Sequence, residues 1–354
     1  MDRKTYYCIG VMSGTSLDGI DICYARFDYN RSYSFKILKA TTYKYSDSWK
    51  LKLRTAFTRD ENYLNNFDIE YGIYIGELVN QFRHDNSIAK TDFIASHGHT
   101  IFHKPEEGYT MQIGLGQAIA DTTQLKVICD FRIQDVKLGG QGAPLVPIGD
   151  KFLFNNYDYC LNLGGFANIS FNVGDRRIAF DICPVNIVLN YYVNKLGLEF
   201  DDKGELTSSG KVHKELLNHL NALEYYYRLY PKSLGLEWVI EFVYPLIDSY
   251  KLETKDILRT FTEHVAYQIS KIIHINSSIL VTGGGAFNDF LIERIEFYLK
   301  QRLSLPSKEL IDFKEALIFA FLGLLRFENQ VNCLKSVTGA KKDHSSGKIF
   351  DPMI

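Results

Sequence analysis

The chain has 354 residues, 46% hydrophobic and 23% charged, which predicts a globular protein with room for two domains. Its net charge of −2 gives no electrostatic case for binding nucleic acid or an anionic membrane. The longest apolar run, residues 317–325, is far shorter than the ~20 residues that span a bilayer, and no signal peptide is evident. The six cysteines form no CxxC pair and no metal-ligand spacing, which favours reduced thiols in a cytoplasm.

The N-terminal part of the chain is predicted to begin with strands and to continue with helices. Residues 6–12 and 20–28 have the pattern of a hairpin, and 34–45 alternates loosely as a third antiparallel strand. Apolar positions in 68–82 recur with a period close to 3.6, which indicates an amphipathic helix. Short strands are predicted at 93–96 and 126–129, with a helix at 117–125 between them.

Glycine and proline interrupt residues 138–147, which are predicted to be a loop following a domain boundary. The predicted domains are domain I, 1–130, completed by about 325–354, and domain II, 131–324. Strands at 159–163 and 167–172 enclose Gly164 and Gly165, which repeats the strand–turn–strand pattern of the N-terminus. The remaining predictions are strands at 178–181 and 278–282, helices at 184–196, 290–302 and 314–327, largely helical structure over 205–270, and an irregular tail after residue 338.

Three glycine-containing turns each follow a predicted strand, at Gly14, at Gly164-Gly165 and at 283–285. Turns at strand ends are where open α/β sheets bind ligands, and glycine lets backbone N–H groups approach a ligand closely. The first turn adds hydroxyls and carboxylates that suit phosphate oxygens or a magnesium-bound nucleotide: Ser13, Thr15, Ser16, Asp18 and Asp21. Taken alone, this stretch fits an ordinary hairpin equally well. No Walker A sequence and no Rossmann fingerprint occurs.

Asp181 follows a short apolar strand and is the candidate general base, although Pro184 makes a helix N-cap the alternative. Arg132 and Asp135 are candidates for binding a carboxylate or sugar hydroxyls, with a surface ion pair as the alternative. His97, His99 and His103 have an HxHxxxH spacing, but no further ligand cluster follows and a substrate-facing loop is favoured over zinc. The absence of GxSxG and HExxH argues against serine hydrolases and zincins.

Ten sequence blocks in order resemble the anhydro-N-acetylmuramic acid kinase family, within the actin-like, hexokinase and Hsp70 ATPase superfamily. They cover nearly the whole length, from Ile9 to about Ala340. The blocks are GVMSGTSLDGID (10–21), SHGHTIFHKP (96–105), QIGLGQAIA (112–120), DFRIQDVKLGGQGAPLVP (130–147), LNLGGFANIS (161–170), FDICPVN (180–186), YPKSLGLEW (230–238), VTGGGAFN (281–288), EALIFAFLG (315–323) and SVTGA (336–340).

The resemblance implies a two-domain actin-like ATPase (ribonuclease H-like) fold of the α/β class, with mixed sheets flanked by helices and a central ATP and sugar cleft. It makes Asp181 the catalytic base and implies that ATP with Mg²⁺ is bound, with Asp18 a candidate metal contact through water. The implied ATP-binding residues are Ser13, Gly14, Thr15, Ser16, Asp18, Gly164, Gly165, Asn168, Gly283, Gly284, Gly285 and Asn288. The implied sugar-binding residues are His97, Arg132 and Glu315.

The implied reaction opens 1,6-anhydro-N-acetylmuramic acid with water and phosphorylates O6, giving N-acetylmuramic acid 6-phosphate in cytoplasmic recycling of peptidoglycan sugars. A homodimer is a family-level expectation, and no nucleic-acid or membrane partner is implied. Two alternatives stay open: a plain amino-sugar kinase without ring opening, and a non-catalytic, regulatory ATP-binding protein.

Several residues depart from the family pattern. The family's DTGPGN block is DICPVN here, with Cys183 and Val185 in place of glycines. His99 stands where the family has Gln, and Asp150 where the loop continues toward a His. The 230–238 block lacks the family's Thr and Arg.

Overall fold

The computed structural model describes residues 4–14 and 17–353, which form a mixed α/β protein. The strands are β1 (Lys4–Ser13), β2 (Gly19–Asn30), β3 (Ser32–Lys44), β4 (Phe93–Ser96), β5 (His99–Lys104), β6 (Tyr109–Ile113), β7 (Val127–Cys129), β8 (Tyr159–Leu163), β9 (Phe166–Val173), β10 (Arg176–Pro184), β11 (Ile279–Thr282) and β12 (Lys348–Phe350). The helices are α1 (Asp47–Thr55), α2 (Glu61–Asp85), α3 (Gly116–Thr123), α4 (Ile133–Lys137), α5 (Pro147–Leu153), α6 (Asn186–Asn194), α7 (Glu205–Ser209), α8 (Lys214–Asn221), α9 (Leu236–Trp238), α10 (Tyr244–Asp248), α11 (Thr254–Ser270), α12 (Asp289–Leu299), α13 (Lys308–Phe327) and α14 (Lys335–Thr338).

The chain divides into two compact units. Unit 1 runs to Leu153 and resumes at Phe313, whereas unit 2 is Phe154–Asp312. The sequence placed these boundaries at 130/131 and 324/325. They differ because α5, which follows the glycine-rich loop, packs against β3 of unit 1, and because the buried C-terminal part of α13 belongs to the same unit.

Unit 1 is built on a six-stranded mixed sheet in the order β12-β7-β4-β1-β2-β3. β1, β2 and β3 pair antiparallel as predicted, while β4 runs parallel to both β1 and β7. The predicted irregular tail is partly wrong, because residues 348–350 form β12 and pair with β7. The hairpin of β5 and β6 was not predicted, since its residues alternate weakly and only one of β5's six residues is buried.

One face of this sheet is covered by α2, whose apolar stripe packs with the strands in a single core. The stripe has a helical period, and it contains Phe67, Tyr71, Ile75, Val79 and Phe82. The helix begins at the N-cap Asp60, whose carboxylate accepts a hydrogen bond from the Tyr63 N–H at 2.8 Å. The long helix predicted from periodicity is therefore confirmed, with a capped start seven residues earlier than the periodic segment.

Helix α13 packs closely on β1 and β4. A Cβ added at Gly10 of β1 would overlap the carbonyl oxygen of Ala316, and one added at Gly323 would lie 2.5 Å from the Cβ of Ala95. Glycine is therefore required at both positions by close approach of helix and strand. Residues 316–320 of α13 are buried, which matches the predicted last apolar helix, although the helix begins six residues before the predicted start.

We expect Gly10→Ala to destabilise unit 1 by several kcal/mol, because the overlap is with backbone and cannot be relieved by a rotamer change. Chemical denaturation of the purified protein would show a lower midpoint. Gly108→Ala is a useful comparison, because the added Cβ there meets no atom within 4 Å and only its positive φ of 70° is strained. Equal stability of the two variants would show that α13 tolerates displacement from β1.

Unit 2 has a four-stranded sheet in the order β10-β9-β8-β11, with β8 and β11 parallel and the other pairs antiparallel. Its core joins these strands to α6, α11 and α12 through residues such as Leu161, Val193, Phe261 and Ile295. The predicted fold class, α/β with mixed sheets flanked by helices, is confirmed. Among the described residues, no helix combines the length and apolar character needed to cross a membrane.

Candidate active site

The first glycine turn follows β1 in unit 1. Ser13 is the last residue of β1 and is buried, whereas Asp18 is exposed at the start of the return to β2. The Leu17 N–H donates to the Gly14 carbonyl at 3.4 Å across the turn. Thr15 and Ser16, both predicted to bind ATP, lie outside the described residues.

The Ser13 hydroxyl belongs to a buried polar network. Its Oγ lies 2.7 Å from the hydroxyl of Tyr45, 2.8 Å from that of Tyr71 and 2.9 Å from Nδ1 of His99. Burial lowers the pKa of His99 to about 4, so this imidazole is neutral near pH 7. The network fixes the end of β1 and engages the Ser13 hydroxyl.

His97 and Arg132 form a second polar pair in unit 1. Arg132 donates from Nε and Nη2 to Nε2 of His97, at 3.1 and 2.9 Å, and from Nη1 to the Gly142 carbonyl at 2.6 Å. Nδ1 of His97 lies 2.9 Å from the Gly98 carbonyl, which fixes the proton on Nδ1 and the lone pair on Nε2. Burial and the neighbouring guanidinium hold the pKa of His97 well below its ordinary value.

Glu315 lies on α13 and is electrostatically coupled to Arg132. Its side chain reaches solvent, yet the dense surrounding protein raises its pKa by desolvation, while the charges of Arg132 and Lys314 act in the opposite direction. Of the three predicted sugar-binding residues, Arg132 therefore contacts His97 directly and interacts electrostatically with Glu315.

A buried ion pair next to Glu315 was not predicted. Lys314 Nζ lies 2.8 Å from Oδ1 of Asp150, and both side chains are about 95% buried. Asp150 lies where the loop of the family continues toward a His, and Lys314 of α13 supplies the opposite charge. The sequence signal was the family departure at Asp150, which did not indicate the partner.

The second glycine turn connects β8 and β9 in unit 2 and lies against the start of α6. The Gly165 carbonyl accepts N–H groups from Val185 and Ile187 at 2.8 and 3.2 Å, and the Gly164 carbonyl accepts the Asn186 N–H at 3.3 Å. These bonds position the turn without a glycine at 185. Gly165 and Asn168 are exposed.

The third glycine turn follows β11 and packs on the second. Gly283 has a φ of +84°, and a Cβ there would lie 2.7 Å from Oδ1 of Asn162 and 2.8 Å from the Leu163 carbonyl oxygen. Gly285 is also constrained, since its Cβ would be 2.8 Å from that of Leu163. Gly284 is exposed and unconstrained. Asn288 caps α12 by accepting the Leu291 N–H at 2.9 Å, so its side-chain oxygen already has a structural partner.

Asp181 lies on β10 opposite Asn168 of β9, immediately before an irregularity in the strand pairing. Its Oδ2 accepts the Leu234 N–H at 2.9 Å, and Asn168 provides a side-chain hydrogen bond. Partial burial raises the pKa of this carboxyl, while the two hydrogen bonds act against that rise. Asp181 is thus a strand residue rather than the helix N-cap that the sequence left as an alternative; α6 has Val185 in that position.

Lys232 of the 230–238 block and Tyr225 complete the surroundings of Asp181, and neither residue was singled out from the sequence. The Asp181 N–H donates to the Lys232 carbonyl at 3.3 Å, and the Tyr225 hydroxyl donates to the Asp181 carbonyl at 2.6 Å. The Lys232 ammonium lies 4.6 Å from the Tyr225 ring centroid. The Lys-Ser-Leu sequence within the block was the available signal, but only the fold reveals that it borders β10.

Unit 2 thus gathers Asp181, Asn168, Gly164-Gly165 and the 283–285 turn around one edge of one sheet. Comparison with known proteins identifies the family. The model of the anhydro-N-acetylmuramic acid kinase family matches residues 6–352, and the chain belongs to that family.

Curated relatives match over nearly their full lengths. Anhydro-N-acetylmuramic acid kinase of a Sulfurovum species is 33% identical, with 99% of this chain and 100% of the relative covered. The enzyme of the same name from Zymomonas mobilis is 34% identical, covering 96% and 98%. That of Clostridioides difficile is also 34% identical, covering 97% and 98%.

Proposed function

We propose that this protein is an ATP-dependent sugar kinase that hydrolytically opens 1,6-anhydro-N-acetylmuramic acid and phosphorylates its O6. The product is N-acetylmuramic acid 6-phosphate, and the process belongs to cytoplasmic recycling of peptidoglycan sugars. The observation that carries the proposal is the carboxylate of Asp181, held by the Leu234 N–H at 2.9 Å and flanked by Asn168 beside the Gly164-Gly165 turn. Family membership supports the substrate.

ATP is assigned to the glycine turns. In unit 1, the backbone of Ser13 and Gly14 is assigned to phosphate oxygens. In unit 2, the exposed Gly164-Gly165 turn with Asn168 is assigned to phosphate oxygens and the 283–285 turn to the adenosine. Thr15, Ser16 and Asn288 belong to the same assignment. A bound Mg²⁺ would neutralise phosphate charge, and Asp18, exposed beside the first turn, is suited to hold it through water.

The sugar is assigned to His97, Arg132 and Glu315. A guanidinium has five N–H donors, of which His97 and the Gly142 carbonyl take three, so two stay available for the lactyl carboxylate. The neutral imidazole of His97 accepts hydrogen bonds from the guanidinium and thereby orients it. Glu315 accepts a sugar hydroxyl, and its coupling to Arg132 keeps the two groups of opposite charge together.

In the proposed reaction, Asp181 takes a proton from a water as the water oxygen attacks the anomeric carbon. The bond from C1 to O6 breaks, and O6 attacks the γ-phosphorus as the bond to the ADP oxygen breaks. The negative charge that develops on O6 as its bond to C1 breaks is thereby transferred to the phosphate. The protein therefore mainly positions the reacting groups and stabilises charge.

The direct test is incubation of the purified protein with ATP, Mg²⁺ and the anhydro sugar in ¹⁸O-water. We expect ¹⁸O at C1 of a 6-phosphorylated product. Phosphorylation of open amino sugars without turnover of the anhydro sugar would identify a plain amino-sugar kinase. ATP binding with no sugar turnover would identify a regulatory ATP-binding protein. Either result would refute ring opening.

We expect an acidic limb in the pH profile of kcat/KM. The raised pKa of Asp181 means that its basic form is lost as pH falls through a range above the ordinary value of about 3.9 for an aspartate. Activity should therefore fall at a higher pH than an unperturbed carboxylate would allow. Because the pKa of Glu315 is raised as well, the profile should also be measured for Glu315→Gln. Loss of the acidic limb in Glu315→Gln would show that the limb reports the titration of Glu315 and not that of Asp181.

A further inference from the structure

A buried cluster of three potential metal ligands lies in unit 1 and is not used by the proposed reaction. Asp135 of α4, Cys333 and His344 are 0%, 2% and 5% exposed, and one ligand atom from each lies within 4.8 Å of the others. The backbones of Cys333 and His344 pair antiparallel, with N–H to carbonyl distances of 3.0 and 3.1 Å in the two directions. This pairing places the two side chains next to each other.

The hydrogen bonding of His344 leaves one ring nitrogen with an unusual environment. Nδ1 lies 3.1 Å from the Lys342 carbonyl, so it carries the proton. Nε2 is buried and has no hydrogen-bond partner among the described residues; Oδ1 of Asp135 is 3.5 Å away. A neutral imidazole would therefore point a lone pair at a carboxylate in a buried site. That arrangement is unfavourable unless a positive charge lies between them.

Asp135 is held as a ligand of fixed orientation. The Gly142 N–H donates to Oδ2 and the Thr338 hydroxyl donates to Oδ1, both at 2.7 Å. Metal-binding carboxylates and imidazoles characteristically have outer partners of this kind, a carbonyl on the far ring nitrogen and donors on the carboxylate. Both outer contacts are therefore present for a metal held by Asp135 and His344.

We propose that Asp135, Cys333 and His344 bind a Zn²⁺ ion. Zinc ligands at about 2.0–2.2 Å in a tetrahedron are separated by roughly 3.3–3.6 Å, which matches the 3.5 Å between Nε2 and Oδ1. A thiolate with an imidazole and a carboxylate suits zinc better than magnesium or calcium, which prefer oxygen ligands. The fourth position would be taken by a water. The sequence spacing 135, 333, 344 gave no sign of this site.

Zinc bound here would cross-link α4, through Asp135, to the C-terminal segment that carries Cys333 and His344. Backbone bonds already join the same parts, from the Gln141 N–H to the Thr338 carbonyl at 2.8 Å and from the Lys341 N–H to the Leu138 carbonyl at 3.1 Å. Since Asp135 lies one helical turn from Arg132, the metal would also stabilise the backbone that carries the proposed sugar-binding guanidinium.

The test is metal binding by the full chain after treatment with a chelator. We expect one tight equivalent of Co²⁺ with thiolate-to-cobalt charge-transfer absorption, its displacement by Zn²⁺, and a Tm raised by Zn²⁺. Cys333→Ser should lose the charge-transfer band, and both it and His344→Gln should weaken binding at least ~10-fold. Cys8→Ser, which removes an equally buried thiol elsewhere in unit 1, should retain both.

Wild-type protein alone can refute the site, so the result does not depend on the variants folding. Absence of a tight equivalent in wild type would refute the site and leave only a buried contact between His344 and Asp135. A charge-transfer band that survives in folded Cys333→Ser would place the metal elsewhere. Because these readouts are spectroscopic and thermal, they are independent of whether the kinase proposal holds.

Discussion

Asp181→Asn should lower kcat by roughly 10²–10⁴-fold, the usual contribution of a general base, while ATP binding is retained. The substitution keeps the shape of the side chain, and its amide oxygen can still accept the Leu234 N–H. What is lost is the ability to take a proton from water. Steady-state kinetics and ATP titration by calorimetry would separate the two effects.

The same variant should be at least as stable as the wild type at neutral pH. A carboxyl whose folded pKa is raised favours folding only below its unfolded pKa, and this contribution is lost as pH rises through the folded value. At pH 7 the ionised Asp181 therefore opposes folding, and a neutral amide removes that cost. Such a gain of stability with loss of activity is typical of catalytic groups.

Asp175→Asn is the matched control, since Asp175 is exposed in the turn between β9 and β10 of the same sheet. It should leave kcat unchanged. If folded Asp181→Asn kept more than about a tenth of wild-type turnover, another group would be the base.

Local sequence patterns predicted the elements around the site because those elements depend on local chemistry. The period in residues 68–82 and the alternation of 6–12 and 20–28 correspond to faces that α2, β1 and β2 bury. The position of the domain boundary, in contrast, could not be predicted from local patterns. The 138–147 loop has the glycine and proline content of a linker, but whether a loop separates domains depends on what the following helix packs against, which local sequence does not encode.

The hydrogen-bond partners of the side chains in the site could not be predicted from the sequence either. Ser13 was singled out as a hydroxyl in a phosphate-type turn. Its hydroxyl forms hydrogen bonds with Tyr71 of α2, His99 of β5 and Tyr45 in the loop after β3. The contact of Leu234 with Asp181 joins residues 53 positions apart. Residue type and spacing identified which groups could act, whereas burial and long-range partners determine how their pKa values shift.

Gly283→Ala should reduce ATP affinity by at least ~10-fold and lower stability by about 1–3 kcal/mol. Residue 283 has a φ of +84°, and the new methyl group would lie 2.7–2.8 Å from Asn162 and from the Leu163 carbonyl. Because those atoms belong to β8, at the start of the second glycine turn, relief of the clash must move one turn away from the other. ATP titration and thermal unfolding would measure the two losses.

Gly284→Ala provides the control within the same turn. Its φ is outside the left-handed region, and the nearest atom to its added Cβ is Nδ2 of Asn186 at 3.8 Å. We therefore expect near-wild-type stability for this variant, and a smaller loss of ATP affinity that comes only from the methyl group at an exposed position. If Gly283→Ala bound ATP as tightly as wild type while showing the expected loss of stability, the 283–285 turn would be a packing element of unit 2, and the adenosine contact would have to be sought elsewhere.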